Sequence, residues 1–427
     1  MPKPDAKSKA ISPARSAAFE ILLLVAEGKG NSDDLLHSAH TAQLSPEDRN
    51  LATTLVMGTL RWQIALDARI QPLLQRPDQR LPEPVAIALR LGAFQLLYLD
   101  RIPAHAALNE SVELTRASNN VHAAGMVNAI LRNLTRQKQP GKPLHESTAA
   151  IARRLGEPDW LVERWVAAYG RAAAIRICEA AQIEPPPPSL FATNVQDAED
   201  AALPRIDDGS RLVAELAAAA APTAKRIWDT CAAPGGKTLV LAHRHPAAEI
   251  LATDISPRRL NAMRRRFEEA GAAKIAVEQA DATTPPTEAQ NFDLILCDVP
   301  CSGTGTLARN PEIRHRLEPA EISRHAQRQQ KILAAALSRL APGGRLLYST
   351  CSLEPEECEQ VVAAVLSKPA VKKSVRQLPL GPLLESLQAS GHLLKPVEGA
   401  IRGDYLRTLP GTHPGDGFFA ALFERSF

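Results

Sequence analysis

The sequence predicts an all-helical N-terminal region followed by an α/β domain with a doubly wound, mostly parallel sheet. Three observations predict this fold class. Residues 10–138 carry helix start signals and apolar helix faces but no alternation typical of strands. From residue 225, short apolar runs alternate with helical patterns, as they do in successive βαβ units. The first of these runs ends in a glycine turn, Gly235-Gly236, that leads directly into a helical pattern.

The composition is that of a globular protein. Its 427 residues are enough for two or three domains, each with a core of its own. No run of 18 apolar residues is present, and the polar stretch Met1–Lys9 is unlike a secretory signal. The six cysteines show no C-x-x-C spacing, which favours reduced thiols. We therefore expect a cytoplasmic protein that does not contact a membrane, and we expect it to be a monomer.

The net charge of +3 comes from the N-terminal part of the chain. Residues 1–142 hold 17 Lys and Arg against 13 Asp and Glu, whereas the rest of the chain holds 33 against 34. A mildly basic region suits a polyanionic partner such as a nucleic acid. The surplus is too small to identify that partner without other evidence.

The N-terminal region is predicted to be a compact helical bundle. Ser12-Pro13 and Ser45-Pro46 each combine an N-cap residue with a proline in the first turn. Further helices are predicted over residues 83–99, 104–118 and 125–136, separated by short turns. Many helices without a strand pattern favour a bundle over a mixed domain.

Proline-rich stretches mark the predicted domain limits. Pro140-Gly141-Lys142-Pro143 ends the bundle, and residues 150–182 then predict two more helices. Glu184–Pro188 carries four consecutive prolines and is expected to be a stiff, extended connector. A helix from Leu212 opens the α/β domain. We therefore divide the chain into a bundle, a connector and an α/β domain, at residues 1–142, 143–211 and 212–427.

Five parallel strands are predicted in the α/β domain, followed by a late strand. The five lie near residues 226–229, 250–254, 274–277, 292–298 and 344–349, and the late strand lies within 415–424. Pro342-Gly343-Gly344 is expected to end a helix and start the fifth strand. In such a sheet the first and fourth strands flank the switch point, and we expect the fifth beside the fourth. Side chains that follow strands four and five should therefore meet at one edge, among them Asp298, Cys301 and Cys351.

The stretch Asp229–Thr238 permits two interpretations as a ligand loop. A phosphate-binding P-loop would need glycine at position 231, where Cys231 stands. A nucleoside-binding loop would need an acid at the end of the second strand to hold the ribose, and Asp254 lies 18 residues after Gly236. Asp281, after the third strand, is placed to reach an adenine edge. We favour the nucleoside interpretation; a P-loop and a glycine turn without ligand are the alternatives.

Two of the cysteines follow strands at the predicted ligand edge. A thiol in such a position can act as a nucleophile once it loses its proton, since the thiolate is the reactive form. Free cysteine is otherwise a small buried hydrophobic residue, and we expect that role for Cys178, Cys231 and Cys297. Cys301 and Cys351 are instead candidate catalytic residues. The cysteine spacing and the scarcity of nearby histidines do not predict a zinc site, so we expect no metal.

Several motifs together carry a family resemblance. Asp229–Thr238, Asp298–Ser302 and Ser349–Ser352 resemble, motif for motif, the S-adenosylmethionine-dependent RNA cytosine-C5 methyltransferases, and Asp416–Phe419 resembles the closing strand of that family. The helical region is similar to the NusB-like RNA-binding domain of one branch, the RsmB-type (Sun/Fmu) 16S rRNA methyltransferases. Its matching stretches are Asp48-Arg49, Gly58–Trp62 and Asn128–Arg132. The resemblance implies a Rossmann-like methyltransferase domain preceded by an all-α NusB-like bundle.

The chain departs from that family between the two regions. A small strand-containing RNA-binding subdomain usually lies there, and residues 185–211 shorten it to a proline run and a loop. The resemblance therefore specifies the chemistry more closely than it specifies the RNA substrate.

The resemblance implies a role for each motif residue. Cys351 is the nucleophile that adds to C6 of cytosine, Cys301 assists removal of the C5 proton and release of the product, and Asp298 contacts the N3/N4 edge of the base. The implied cofactor is S-adenosyl-L-methionine. The residues that would hold it are Cys231, Ala232, Ala233, Pro234, Gly235, Gly236, Lys237, Asp254, Asp281 and Asp298.

The implied partner is 16S rRNA, free or in an assembly intermediate. Two groups of basic residues suit a track for its phosphates, although solvated helix faces have the same composition. These groups are Arg309, Arg314, Arg316, Arg324, Arg328 and Lys331, and Arg258, Arg259 and Arg264–Arg266. The alternatives are methylation of another RNA such as tRNA, a P-loop NTPase and a non-catalytic RNA-binding factor.

Overall fold

The structure is a computed structural model that describes residues 11–76, 80–136, 146–191, 203–284 and 291–426. These residues form two compact units. The helical unit lies within Met1–Ile183 and Ala308–Arg316, and the sheet unit lies within Glu184–Leu307 and Leu317–Phe427. The predicted boundary at Pro140–Pro143, the stretch Met1–Lys9 and the middle of the shortened connector, 192–202, lie outside the described residues. The division of the chain at residues 142 and 211 stays a prediction.

Helices and strands are numbered separately in chain order. The helices are α1 (Pro13–Ala26), α2 (Ser32–Leu36), α3 (Ala39–Ala42), α4 (Pro46–Ile70), α5 (Glu83–Tyr98), α6 (Ala104–Ala117), α7 (Ala124–Leu134), α8 (Thr148–Arg154), α9 (Asp159–Tyr169), α10 (Arg171–Gln182), α11 (Asp208–Ala220), α12 (Gly236–Arg244), α13 (Pro257–Glu269), α14 (Ile313–Arg316), α15 (Pro319–Leu337), α16 (Glu359–Leu366), α17 (Pro369–Ser374) and α18 (Gly381–Ala389). The strands are β1 (Arg226–Asp229), β2 (Glu249–Asp254), β3 (Ala276–Gln279), β4 (Phe292–Asp298), β5 (Leu340–Thr350), β6 (Val375–Leu378), β7 (Ile401–Arg402), β8 (Tyr405–Arg407) and β9 (Phe419–Arg425). Within the described ranges, every helix is too short or too polar to cross a membrane.

The helices predicted in the N-terminal region are confirmed as α1, α4, α5, α6 and α7. Their shared core includes Leu22, Leu55, Leu89 and Leu131. α4 starts as predicted, since Ser45 Oγ accepts the Asp48 N–H at 3.1 Å and Pro46 stands in the first turn. α1 also starts at its predicted proline, but the Ser12 side chain does not cap it. The N–H and Oγ of Ser12 instead donate to Glu110, at 2.8 and 2.7 Å.

The stretch before the proline run holds three helices where the sequence predicted two. Gly156 and Gly170 separate α8, α9 and α10, and they adopt positive φ values of +68° and +81°. Such values end a helix and suit glycine. The short α2 and α3 were also not predicted, because four or five residues are too few to show a helical period.

A short segment from later in the chain completes the helical unit. Within Ala308–Arg316, Glu312 accepts hydrogen bonds from the N–H and Oγ of Ser32 at 3.1 and 2.9 Å. Arg314 Nη1 lies 2.8 Å from Glu157 Oε1, and both side chains are fully buried. Arg314 also donates to the carbonyl oxygens of Arg61, Gly156 and Ala181. The helical unit is therefore not continuous in sequence.

The nine-stranded sheet has the predicted parallel centre and an antiparallel edge, in the order β3-β2-β1-β4-β5-β9-β8-β7 with β6 also paired to β9. β1 pairs in parallel with β2 and β4, β2 with β3, and β4 with β5. β9 is the predicted late strand and runs antiparallel to β5. The strands β6, β7 and β8 were not predicted, because two to four residues carry little pattern.

Two strand boundaries differ from the prediction. β3 begins at Ala276, later than expected. Pro342-Gly343-Gly344 lies inside β5 and not before it, because β5 already pairs with β4 at Leu340. The register between the two strands shifts along this stretch. Such a bulge lets a proline, which has no N–H to donate, remain within a strand.

Strand residues alternate between two apolar faces, as a doubly wound sheet requires. Leu294 and Leu296 of β4 belong to a cluster that α11, α12 and α18 cover. Ile295 and Cys297 of the same strand belong to a second cluster, which α15 and α16 cover. The predicted fold class is confirmed.

Candidate active site

The loops that carry Cys301 and Cys351 leave the same edge of the sheet. β4 and β5 are parallel neighbours, and their register pairs Asp298 with Ser349. The loops that follow these positions therefore begin side by side. Their thiols lie 3.3 Å apart, measured between the two Sγ atoms. The structure thus brings together the two candidate cysteines and Asp298.

A lysine from the glycine loop joins this group. Lys237, in the first turn of α12, places its Nζ 2.7 Å from Asp298 Oδ2. Ser349 Oγ donates to the other carboxylate oxygen of Asp298 at 2.7 Å. Burial is the largest single effect and lowers the pKa of Lys237, but the charge and the hydrogen bond of Asp298, together with smaller contributions from its surroundings, outweigh burial, so the net pKa is raised. Lys237 therefore stays charged and fixes the position of Asp298.

The surroundings of Cys351 raise the pKa of its thiol. Its hydrogen bond to Cys301 raises the pKa of Cys351, and burial and the charge of Asp298 raise it further. Lys237 acts in the opposite direction. These surroundings therefore favour the thiol of Cys351 over its thiolate.

Three neighbouring parallel strands end in aspartate, and one of these was not predicted as a site residue. Asp229 ends β1, between Asp254 of β2 and Asp298 of β4. Thr238 Oγ1 donates to Asp229 Oδ2 at 2.7 Å, while the buried Oδ1 has no hydrogen-bond partner among the described residues. Burial raises the pKa of Asp229 to about 7. Its place at a strand end was the signal that could have identified it.

Asp254 and Asp281 already accept hydrogen bonds from neighbouring residues of the chain. The Ser256 N–H and Arg259 Nη2 both donate to Asp254 Oδ1 at 2.9 Å, which leaves Oδ2 for a further donor. The N–H and Oγ1 of Thr283 donate to Asp281 Oδ1, both at 2.9 Å, and the backbone bond is the larger reason that the pKa of Asp281 is lowered. Asp254 ends β2 and Asp281 follows β3, as the sequence predicted.

The loop Cys231–Gly235 joins β1 to α12 and depends on one glycine. Gly235 has a φ of +92°, and a Cβ there would lie 2.6 Å from the Phe267 ring and 2.8 Å from Met263 Cγ. The close packing of α13 therefore adds to the conformational reason for glycine. Cys231 itself is half-buried, and burial raises its pKa to about 12.

The remaining cysteines and the histidines form no metal centre in the part of the chain that the structure describes. Cys178 and Cys297 are buried, as expected.

The predicted phosphate track is wrong for Arg314. That guanidinium is buried in the helical unit against Glu157, so it cannot meet solvent or a phosphate. Arg316 donates to the carbonyl oxygens of Val25 and Gly30. The spacing of these arginines resembles a solvated helix face, and only the fold shows that Arg314 is enclosed whereas Arg316 remains exposed.

Two protein-family models match the chain. The model described as 16S rRNA methyltransferase RsmB/F matches residues 217–424, and the model of the NusB family matches residues 12–136. Ribosomal RNA small subunit methyltransferase B of Xanthomonas campestris is 32% identical and aligns over 97% of this chain and 97% of its own. The chain belongs to the ribosomal RNA small subunit methyltransferase B family.

Other similar proteins agree with this membership. Ribosomal RNA small subunit methyltransferase B of Klebsiella pneumoniae is 32% identical, covering 96% of this chain and 98% of its own. The probable ribosomal RNA small subunit methyltransferase B of Bacillus subtilis is 28% identical with the same coverage. The crystal structure of PH0851 aligns with a TM-score of 0.72 over 97% of this chain and 100% of that one. At 20% identity, that likeness supports the fold alone.

Family membership confirms the resemblance that the motifs predicted. The chain is an enzyme of the S-adenosylmethionine-dependent rRNA methyltransferase class. Membership also argues against the P-loop interpretation of Asp229–Thr238 and against a non-catalytic RNA-binding factor.

Proposed function

We propose that this enzyme methylates C5 of a cytosine in 16S rRNA through a covalent bond between Cys351 and C6 of the base. The observation that carries the proposal is the pair of thiols 3.3 Å apart, beside the Lys237–Asp298 ion pair. Cytosine C5 is a poor nucleophile, and covalent catalysis divides one difficult step into easier ones. A pair of thiols at a strand-end edge suits that chemistry.

The glycine loop and its neighbours fit S-adenosylmethionine. Asp229 offers a buried acceptor without a donor, and Asp254 offers an oxygen for a ribose hydroxyl. Cys231–Lys237 and Asp281 complete the proposed binding set. When bound there, the cofactor supplies an electrophilic methyl group on a sulfonium.

The two cysteines are assigned unequal roles. The Cys351 thiolate adds to C6, and the electron pair of the C5–C6 double bond then allows C5 to take the methyl group. Cys301, after it loses its own proton to solvent, takes up the C5 proton as a thiolate; the C5–H electrons then re-form the ring double bond as the bond between Cys351 and C6 breaks and Cys351 leaves as a thiolate. The contact between the thiols keeps Cys301 within reach of the adduct.

Asp298 is proposed to contact the N3/N4 edge of the base. Lys237 and Ser349 each occupy one of its oxygens, so the carboxylate is fixed before substrate arrives. Groups fixed in this way stabilise developing charge without reorganisation.

The helical unit is proposed to bind RNA. In the sheet unit, the exposed basic residues Arg324 and Lys331 of α15 are proposed as further contacts for the RNA phosphates. The target base must leave its stack, which costs a few kcal/mol and least in an unpaired region. Another RNA such as tRNA is the alternative substrate. Bisulfite sequencing of rRNA and tRNA from a strain without this enzyme separates the two, because only the true substrate loses a methylcytosine.

Substitution of each thiol tests the mechanism. Cys351→Ala should abolish methylation and form no adduct. Cys301→Ala should let the first bond form and slow its breakage, so RNA should remain attached to the protein through denaturing electrophoresis. The double variant should show no attachment, and Cys178→Ala, which removes a buried thiol of the helical unit, should behave as the wild type. Attachment in Cys351→Ala would reverse the roles, and full activity in both single variants would mean that the thiols are merely packed.

The cofactor proposal has its own test. Asp254→Ala should weaken S-adenosylmethionine binding about 10- to 100-fold in calorimetry without magnesium, since a hydrogen bond to a charged group contributes roughly 1.5–3 kcal/mol. Asp293→Ala is the matched control, because Asp293 accepts the N–H groups of Lys225 and Arg226 at the opposite end of β1. Binding of ATP but not S-adenosylmethionine would restore the P-loop interpretation.

A further inference from the structure

We propose that Glu357 is a positioning residue that holds the Cys301 and Cys351 loops in register, an inference that rests on the proposed function. Glu357 lies in the turn between β5 and α16, and it is fully buried. Its own backbone is anchored, because Tyr348 OH donates to the Glu357 carbonyl oxygen at 2.8 Å. No family motif in the sequence pointed to this residue.

The Glu357 carboxylate binds the residue that follows each cysteine. Ser302 donates its N–H to Oε1 at 2.9 Å, and its hydroxyl donates to Oε2. Ser352 Oγ donates to the same Oε2 at 2.5 Å. The two serine hydroxyls lie 3.0 Å apart, close to the separation of the adjacent thiols. One carboxylate therefore joins the Cys301-Ser302 and Cys351-Ser352 pairs.

A buried glutamine connects the same carboxylate to the residue before Cys301. Gln329 Nε2, on α15, donates to Glu357 Oε1 and to the Pro300 carbonyl oxygen, both at 2.9 Å. Pro300 and Ser302 flank Cys301 in the sequence. The Cys301 backbone is thus fixed on both sides by one hydrogen-bonded group.

The donors of this group suit a carboxylate. Four donors converge on the two oxygens: an amide N–H, the Gln329 amide and two hydroxyls. An ionised carboxylate only accepts, so it can satisfy all four. In Glu357→Gln, the amide oxygen could still accept the two N–H groups, and the hydroxyls could rotate to accept from its NH₂. That variant keeps the shape of the group but loses the stronger, charge-assisted bonds.

Loss of Glu357 should shift the thiols without separating the loops. Further along, the Gly305 N–H donates to the Cys351 carbonyl oxygen at 2.8 Å, and the Leu353 N–H donates to Thr304 Oγ1 at 2.9 Å. These bonds do not involve Glu357 and should preserve the fold. The effect should therefore appear in the placement of Cys301 against Cys351.

The first arm of the test measures the thiol spacing without RNA. Diamide accepts two electrons and the two thiol protons as a Cys301–Cys351 disulfide forms, and mass spectrometry of the linked peptides gives its rate. We expect the rate to fall about tenfold in Glu357→Ala and less in Glu357→Gln. The matched control is Glu215→Gln, which alters another buried glutamate of the sheet unit, bonded to Arg211 and Arg244. That control should leave the rate unchanged.

The second arm measures methylation of 16S rRNA. A misplacement of about 1 Å can cost 100-fold in rate, so Glu357→Ala should lower kcat about 100-fold and leave KM for RNA within about twofold. Glu357→Gln should have a higher kcat than Glu357→Ala. If Glu357 had only a structural role, two variants of equal thermal stability should have the same kcat. The inference would be overturned if disulfide formation and methylation were no slower in Glu357→Ala than in Glu215→Gln. It would also be overturned if disulfide formation slowed while kcat stayed unchanged. Failure of the wild type to methylate RNA would instead overturn the proposed function, and the diamide arm would still decide whether Glu357 sets the spacing.

Discussion

Two ion pairs of this protein have nearly the same N–O distance, but the pKa values of their cations shift in opposite directions. The N–O distance is 2.7 Å for Lys237–Asp298 in the sheet unit and 2.8 Å for Arg314–Glu157 in the helical unit. For Lys237, the charge and the hydrogen bond of Asp298, with smaller contributions from other groups, together outweigh burial, and the pKa is raised. In the second pair burial outweighs the partner, so the pKa of Arg314 is lowered and that of Glu157 is raised to about 7.

Enclosure explains the difference. Lys237 and Asp298 keep 18% and 22% of their side-chain surface exposed, whereas Arg314 and Glu157 keep none. The first pair can still meet a ligand, and its surroundings include the Ser349 hydroxyl and the Cys351 thiol. The second pair is surrounded by backbone carbonyl oxygens. The distance within an ion pair therefore does not identify a functional site; the remaining exposure and the chemistry of the neighbours do.

The largest expected effect comes from breaking the enclosed pair. Arg314→Met should destabilise the protein by about 3–5 kcal/mol, because Glu157 would be left buried without a cation. A buried acid with a raised pKa contributes stability at low pH that is lost as pH rises through that pKa, here from about 4.5 to about 7. The loss should therefore be larger at pH 8 than at pH 6 in urea unfolding.

A second substitution sharpens this expectation. Adding Glu157→Gln to Arg314→Met should recover most of the stability, since neutralising both members of a buried pair is often close to neutral. An equal loss in the single and the double variant would mean that Arg314 acts through its carbonyl contacts alone.

The next effect separates activity from stability. Lys237→Met should lower kcat about 100- to 1,000-fold, the size seen when one preorganised electrostatic group is removed from an active site. Its unfolding free energy should change less than that of Arg314→Met, because Asp298 keeps 22% of its side-chain surface exposed and still accepts from Ser349. Lys225→Met, at an exposed lysine before β1, should change neither quantity. A stability loss like that of Arg314→Met would erase the distinction between the two pairs.

The smallest effect is a shift in thiol reactivity. Cys301→Ala removes the hydrogen bond that raises the pKa of Cys351 most, so Cys351 should become reactive at lower pH. Iodoacetamide labelling of the Cys351 peptide across a pH series measures the midpoint. Cys231, whose pKa burial raises to about 12, serves as the internal reference. An unchanged midpoint would mean that the surroundings of Cys351, and not its partner thiol, control its protonation.

The sequence predicted the parts of the fold that have strong local patterns. The five central strands, the glycine loop and the two cysteine loops each show a period or a motif within a few residues. Their convergence followed from the rule that ligands bind at the carboxyl ends of parallel strands. Asp298, Cys301 and Cys351 could therefore be brought together before the fold was known.

What the sequence did not predict depends on contacts between distant residues. Glu357 looks like one acid in an acidic turn, and only the fold shows its oxygens facing Ser302 and Ser352. Arg314 has the spacing of a surface arginine, yet its partner Glu157 lies far away in the chain. Burial of a polar residue against a distant partner leaves no local pattern.

The discontinuous helical unit has a consequence for synthesis. A ribosome releases residues 11–183 well before Ala308–Arg316, so the nascent helices emerge without Glu312 to accept from Ser32 and without Arg314 to balance Glu157. The helical unit can reach its final form only after β4 and the Cys301 loop have been translated. Domains usually mature from the N-terminus onward during translation. In this protein the helical unit emerges first but is complete only after Ala308–Arg316 has been translated. A fragment that ends at Ile183 therefore lacks part of its own interior.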